Sequence, residues 1–249
     1  MVSPNFSHQN NSIRICLGSA LFLAASIIAT FVFGTLVLLG IIFPFNIRYR
    51  IGKGWAETVL KLAEIFCGVR YEVEGLEHIN INSGAIVLSN HQSAWETLAF
   101  RCFLPPQTSL FKQSLLWIPI WGWAMATLKP IAIDRDSKHS ALRKLISRGT
   151  EALKEGLWVI VFPEGTRMSA DKLGDFSAGG AMLAQKSGYP VVPIAHNAGL
   201  FWPRYSFIKY PGTIKVKIGP YVESKGRKAA DINKEAEDWV KNAMQEINP

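Results

Sequence analysis

A chain of 249 residues is long enough for one α/β domain with an attachment, and 49% hydrophobic against 18% charged residues exclude a disordered protein. The formal net charge of +8 would suit a protein that binds nucleic acid. No recognised nucleic-acid-binding motif accompanies that charge, so we expect no nucleic-acid partner. The three cysteines lack paired or metal-like spacing, which argues against a disulfide framework.

The first predicted element is a membrane segment. No charged side chain occurs between Arg14 and Arg48, and residues 15–45 are dominated by Leu, Ile, Ala, Phe and Val. A spanning helix needs about 20 apolar residues, so this run is long enough to cross a bilayer, or to enter it and return by bending at Gly34, Gly40 or Pro44. A cleavable signal peptide, whose apolar region has about 7–15 residues, is the alternative.

Basic residues follow this apolar run at Arg48, Arg50 and Lys53. By the positive-inside tendency they place the rest of the chain on the cytoplasmic side, where it faces anionic lipid. We therefore expect a membrane protein whose main domain lies at the cytoplasmic face, which in a bacterium is the inner membrane.

An amphipathic helix is predicted next, because Trp55, Val59, Leu62 and Phe66 recur at three- and four-residue intervals. Its apolar face suits either the core of the following domain or the membrane interface, and the pattern leaves both open. Residues 1–68 are interpreted as an N-terminal helical membrane module.

From residue 69 onward, short β-rich runs alternate with helical patterns. The predicted strands are 69–73, 85–88, 130–133, 157–162, 191–194 and 213–218. The predicted helices are 97–103, 138–154, 179–186 and 230–247. This alternation predicts an α/β fold for residues 69–249, with a mixed, largely parallel sheet covered by helices on both faces.

The first candidate site is residues 89–96, Ser-Asn-His-Gln-Ser-Ala-Trp-Glu, where the predicted strand 85–88 ends. In open α/β sheets, ligands bind beyond that end of a strand. Across a turn that leads into a helix, Glu96 can accept from one ring nitrogen of His91, fix its tautomer and stabilise the imidazolium. Taken alone, the spacing fits a structural histidine better.

The second candidate site is Phe-Pro-Glu-Gly-Thr-Arg at residues 162–167, just beyond another apolar strand. A tight turn with glycine, exposed backbone N–H groups and the guanidinium of Arg167 suits a phosphate group. An ordinary turn at a strand end is the alternative.

Two shorter segments occur at strands, namely Ile-Asp-Arg at residues 133–135 and Val-Pro-Ile at residues 192–194. In order and separation, the four segments resemble the blocks N-H-x4-D, I-D-R, F-P-E-G-T-R and V-P-I of the phosphate acyltransferase family, which includes 1-acylglycerol-3-phosphate acyltransferases. The likeness covers about residues 69–219. Family members are also similar in starting with a two-helix membrane module.

The resemblance implies a transferase that moves a fatty acyl group from acyl-CoA or acyl carrier protein to the free hydroxyl of a lysophospholipid, by default 1-acylglycerol-3-phosphate, giving phosphatidic acid. His91 would be the general base, which is worth about 10² to 10⁴ in rate, and Glu96 its partner. A thioester is already activated, so the enzyme would need no covalent nucleophile. We also expect no cofactor and no metal. The implied substrate-binding residues are Lys112, Arg135, Glu164, Gly165, Thr166 and Arg167.

Glu96 is a departure, because the usual family residue is aspartate, and we interpret it as a working substitute. A lyso-ornithine lipid or another lysophospholipid would use the same base, and Ser93 as an acyl-enzyme nucleophile is a variant mechanism. A non-catalytic lipid-binding homologue is the alternative outside enzymes. The sequence lacks the Gly-x-Ser-x-Gly elbow of α/β-hydrolases, and no second histidine or cysteine group stands at zinc-ligand spacing from His91.

Overall fold

The computed structural model describes residues 12–133 and 137–248, so the predicted substrate-binding Arg135 lies outside the described residues. The helices are α1 Ser12–Leu39, α2 Phe45–Cys67, α3 Trp95–Phe103, α4 Trp121–Ala126, α5 Lys138–Lys154, α6 Gly179–Ser187 and α7 Ala229–Ile247. The strands are β1 Val69–Glu74, β2 Ile86–Ser89, β3 Gln107–Lys112, β4 Ile131–Ile133, β5 Trp158–Val161, β6 Val191–His196 and β7 Gly212–Ile218.

Over the described ranges, seven strands form one sheet in the order β1-β7-β6-β2-β5-β3-β4. Neighbouring strands are parallel except β6 and β7, which are antiparallel. The carboxyl ends of β2 to β6 therefore lie along one edge of the sheet. The predicted mixed, largely parallel sheet is confirmed, and this edge is where ligands of such sheets bind.

Hydrophobic layers cover both faces of the sheet. Along β2 the side chains alternate, since Val87 packs with α2 and α3 on one face, whereas Ile86 and Leu88 pack with α5, α6 and α7 on the other. All three are fully buried. Such strands, apolar on both sides, are typical of the interior of parallel sheets, and the predicted cover of helices on both faces is confirmed.

Two elements were not predicted. Strand β3 begins with Gln107 and Thr108, both buried, so it lacks the apolar run that identified the other strands. Pairing with β4 and β5 supplies its backbone hydrogen bonds instead. Helix α4 has six residues, too few for a periodic pattern to emerge.

Helices α1 and α2 form a helical hairpin. Within Ser12–Ile42 an 18-residue stretch has a mean hydropathy of 2.4, and the segment is long and apolar enough to cross a membrane. The chain then turns through the short 3-10 helix Gly40–Ile42, and Pro44 caps α2. The two helices approach closely at Gly18, where a Cβ atom would lie 2.2 Å from the carbonyl oxygen of Phe66.

Helix α1 is also fixed to the main domain. The Ser19 hydroxyl accepts the backbone N–H of Lys209 at 3.0 Å, and the Phe22 and Trp202 rings meet edge to face at 5.1 Å. The remaining surface of α1 exposes large apolar side chains, which suits lipid and supports association with a membrane. They include Leu17, Leu21, Ile27, Ile28, Phe31, Leu36 and Leu39.

Helix α2 turns its apolar side to the core. Ala56, Val59, Leu60 and Ala63 are buried in the same hydrophobic cluster as α3 and the sheet. Of the two placements open from the sequence, the structure therefore has the core-facing one. The division of the chain at residues 68 and 69 into two domains stays a prediction.

Candidate active site

The segment that follows β2 connects the sheet edge to α3. The chain leaves the strand at Ser89, passes through Asn90 to Ala94, and enters α3 at Trp95. The Ser93 hydroxyl accepts the Trp95 backbone N–H at 3.1 Å, which satisfies an otherwise unpaired donor near the helix start. The short turn brings the first residues of α3 next to the end of β2.

His91 and Glu96 are brought together by this turn. His91 Nδ1 lies 2.6 Å from Glu96 Oε1, and the same oxygen accepts the backbone N–H groups of Gln92 at 3.0 Å and Ser93 at 2.8 Å. The extra methylene of glutamate thus fits within an ordinary hydrogen-bond distance of the imidazole. Three donors on one oxygen fix the carboxylate relative to the ring.

The Glu96 carboxyl is fully buried in the first turn of α3. Burial raises its pKa, whereas the hydrogen bonds from His91 and from the Ser93 N–H lower it. The positive end of the helix dipole acts in the same direction. Glu96 is therefore ionised and able to stabilise an imidazolium at His91.

The His91 ring is stacked on Phe162, with ring centroids 4.2 Å apart and planes 15° from parallel. Glu96 occupies Nδ1, and among the described residues no protein group hydrogen-bonds Nε2. The ring is thus held by a carboxylate at one edge and an aromatic face on one side. This leaves Nε2 available to a substrate hydroxyl.

Glu164 holds the loop after β5 against this segment. Its Oε2 accepts the His91 backbone N–H at 2.8 Å, and its Oε1 accepts the Gly174 N–H at 3.0 Å. Burial raises the pKa of Glu164 to about 7, against the lowering effect of these two N–H groups. Glu164 thus joins the His91 segment to the loop after β5, with both carboxylate oxygens used by backbone donors.

Of the other predicted substrate-binding residues, Lys112, Gly165, Thr166 and Arg167 lie at the same sheet edge. Gly165 adopts φ +71°, a left-handed conformation that favours glycine, and its N–H closes a turn on the Phe162 carbonyl at 3.1 Å. Gly165 and Thr166 are exposed, Arg167 is half-buried, and the next N–H, of Met168, donates to the His91 carbonyl at 2.7 Å. Lys112 ends β3 and is exposed.

His196, at the end of β6, was missed by sequence reasoning. It is fully buried, and its ring Nε2 lies 3.0 Å from the carbonyl oxygen of Asn90. The only sequence signal is its place, since it follows the Val-Pro-Ile segment at the end of an apolar strand. Gln92 was also not singled out, although its Oε1 accepts the Gly199 N–H at 3.0 Å and fixes the other end of the His91 turn.

No group of three or more His, Cys, Asp or Glu side chains that could hold a metal occurs in the part of the chain that the structure describes. The expectation that the protein uses no metal or cofactor stays a prediction.

An α/β sheet with a histidine–carboxylate pair and a glycine–arginine turn at its carboxyl edge is the arrangement expected of an acyltransferase. A model of the acyltransferase family matches residues 70–197, which include His91, Glu96, Glu164, Arg167 and His196. The chain belongs to this family and is an enzyme, an acyltransferase.

Individual relatives agree with this assignment. The chain is 47% identical to the 1-acyl-sn-glycerol-3-phosphate acyltransferase of Pseudomonas aeruginosa over 234 residues, which cover 92% of this chain and 90% of that protein. It is 29% identical to 1-acyl-sn-glycerol-3-phosphate acyltransferase alpha of Mus musculus, over 74% of this chain and 66% of that protein. The crystal structure of PlsC, the 1-acyl-sn-glycerophosphate (LPA) acyltransferase of Thermotoga maritima, superimposes with a TM-score of 0.75 at 28% identity, covering 95% and 97% of the two chains.

Proposed function

We propose that this enzyme transfers a fatty acyl group from a thioester donor to the free hydroxyl of 1-acylglycerol-3-phosphate, giving phosphatidic acid. The observation that carries the proposal is the 2.6 Å hydrogen bond between His91 and Glu96, which leaves the opposite ring nitrogen without a protein partner among the described residues. The choice of acceptor is supported by the similarity to relatives from Pseudomonas aeruginosa and Mus musculus that carry this acceptor in their names.

The proposed reaction is a direct transfer. His91 Nε2 removes the proton from the acceptor hydroxyl as its oxygen attacks the thioester carbonyl, and Glu96 stabilises the imidazolium that forms. The tetrahedral intermediate then collapses, the carbon–sulfur bond breaks, and the proton on His91 passes to the leaving thiolate. Ester and thiol are the products, and the histidine returns to its neutral form. Because the donor is already activated, the reaction as proposed needs neither a protein nucleophile nor a cofactor.

The acceptor phosphate is assigned to the cations at the same sheet edge. Arg167 stands one residue before Met168, whose N–H donates to the His91 carbonyl, so a phosphate at the glycine turn lies close to the base. A guanidinium binds phosphate through two parallel hydrogen bonds. Lys112 and Arg135 are the further cations of this proposed subsite.

We place the site at the cytoplasmic face of the membrane. The donor, acyl-CoA or acyl carrier protein, is water-soluble and cytoplasmic, whereas the acceptor is a membrane lipid. The apolar helix α1 would enter the lipid, and Arg50 and Lys53 would face the anionic leaflet, each contributing about 1 kcal/mol. Arg48 instead donates to the Thr127 carbonyl at 3.1 Å.

The proposed function is tested with the purified enzyme in detergent, by offering acyl-CoA and acyl carrier protein donors to a panel of acceptors. The panel contains 1-acylglycerol-3-phosphate, a monoacylglycerol with the same chain, lysophosphatidylethanolamine and a lyso-ornithine lipid. We expect the highest kcat/KM for 1-acylglycerol-3-phosphate and a large loss for the monoacylglycerol, which lacks the phosphate. A higher value for lyso-ornithine lipid would replace the proposed acceptor, and no turnover of any acceptor would favour the non-catalytic alternative.

Replacing Arg167 by alanine is expected to raise the KM for 1-acylglycerol-3-phosphate about 10- to 100-fold, the effect of losing charge-assisted hydrogen bonds of about 1.5–3 kcal/mol. The KM for the acyl donor is expected to change little. A matched control is Arg148→Ala, since Arg148 is exposed on α5 and pairs with Glu151. Steady-state kinetics with each substrate varied in turn measures both constants, and an equal rise in the two KM values would argue against a phosphate contact.

A further inference from the structure

The peptide group between Asn90 and His91 is held at both ends. Its N–H, on His91, donates to Glu164 Oε2 at 2.8 Å. Its carbonyl oxygen, on Asn90, lies 3.0 Å from His196 Nε2. A carbonyl oxygen can only accept a hydrogen bond, so Nε2 must carry the ring hydrogen. Glu164 and His196 therefore form hydrogen bonds at opposite edges of the same peptide group.

The second ring nitrogen of His196 fixes the same tautomer independently. The Ala198 backbone N–H points at Nδ1 from 3.3 Å, and an N–H can only donate, so Nδ1 must be unprotonated. The ring is completely buried between Trp95 and Phe100, and burial lowers the pKa of His196. His196 is thus a neutral donor with one available orientation.

Asn90 completes the link to β6 through its side chain. Its Nδ2 donates to the His196 carbonyl at 2.8 Å, and its Oδ1 accepts the His196 backbone N–H at 3.1 Å. These bonds continue the parallel pairing of β2 with β6 beyond Ser89, where the strand itself ends. The residue before the proposed base is therefore tied to β6 by both its backbone and its side chain.

We propose that His196 is a positioning residue for His91, acting through its hydrogen bond to the Asn90 carbonyl. The orientation of the Asn90–His91 peptide plane sets the direction in which the His91 side chain leaves the backbone. The ring must at once meet Glu96 Oε1 at 2.6 Å and lie flat on Phe162, so a small rotation of that plane weakens both contacts. Displacement of a reacting group by about 1 Å costs up to about 100-fold in rate. The proposal rests on His91 being the base.

Two substitutions separate the two nitrogens of His196. In His196→Gln the side-chain amide nitrogen lies where Nε2 lay and still donates to the Asn90 carbonyl, but nothing accepts the Ala198 N–H. In His196→Asn the amide oxygen lies where Nδ1 lay and still accepts from Ala198, but the Asn90 carbonyl loses the imidazole donor and keeps only the Ser89 hydroxyl, at 3.2 Å. Each variant removes one hydrogen bond from a buried backbone group, so both are expected to lower the melting temperature.

We expect kcat at saturating concentrations of both substrates to fall about 10-fold or more in His196→Asn and to stay within about 3-fold of the parent in His196→Gln, with little change in either KM. Ile194→Val, at a buried position of β6, controls for destabilisation alone and is expected to keep the parent kcat. Equal kcat values in the Gln and Asn variants, or values that merely follow the melting temperature, would overturn the positioning role.

His91→Ala is measured in parallel, because a fully active His91→Ala would refute the base on which the proposal rests, an outcome that differs from equal kcat values in the two His196 variants. If neither His196 variant folds, ¹⁵N NMR of the histidine-labelled parent decides. The buried ring is expected to give signals that do not titrate between about pH 6 and 8, with the hydrogen on Nε2. A non-titrating ring with the hydrogen on Nδ1 would contradict the proposal.

Discussion

Replacing His91 by alanine is expected to lower kcat by at least ~100-fold, because the acceptor hydroxyl would then lose its proton to water and not to a positioned base. The alanine side chain also removes the ring that Phe162 and Glu96 hold in place. The acceptor and donor KM values are expected to change much less, since the proposed phosphate contacts are made by other residues. The measurement is steady-state kinetics with acyl-CoA and 1-acylglycerol-3-phosphate.

The matched control is His139→Ala, because His139 is an exposed histidine on α5. Its kcat is expected to equal that of the parent. Both variants are expected to remain in the membrane fraction, since neither substitution touches α1. A His91→Ala enzyme with near-normal kcat would remove His91 from the mechanism.

Replacing Glu96 by glutamine is expected to lower kcat by about 10-fold or more, whereas Glu96→Asp is expected to keep a larger share of the activity. Glutamine keeps an oxygen that can accept from His91, Gln92 and Ser93, but it removes the negative charge that stabilises the imidazolium. Aspartate keeps the charge and shortens the side chain by one methylene, which the turn can follow by a small movement toward α3.

The two substitutions test the charge of Glu96 and the length of its side chain separately. Thermal unfolding of both variants accompanies the kinetics, so that a fall in kcat can be compared with any loss of stability. If the Glu96→Gln enzyme has the same kcat as the parent, the pairing of His91 with Glu96 has no catalytic role. A greater loss in Glu96→Asp than in Glu96→Gln would mean that the exact reach of the side chain matters more than its charge.

The local parts of this site could be predicted from the sequence. Segments 89–96 and 162–167 each follow a short apolar run, and such runs identify buried strands by composition alone. Their residue types also specify the chemistry, because only a few side chains serve as a base, a carboxylate partner or a phosphate cation. His91 and Glu96 are five positions apart in the chain, so the closure of the turn between them depends on local backbone geometry.

The order of the strands in the sheet is known only from the tertiary structure. Strand β2 lies between β5 and β6, so Glu164, just after β5, and His196, at the end of β6, reach the Asn90–His91 peptide from opposite sides. Glu164 is 73 residues from His91 and His196 is 106 residues from Asn90. The sequence by itself determined the fold class, the apolar N-terminal helix and the candidate groups for the chemistry, since these follow from local patterns. Contacts between residues so far apart depend instead on which strands become neighbours, and hydrophobic packing over the whole sheet decides that.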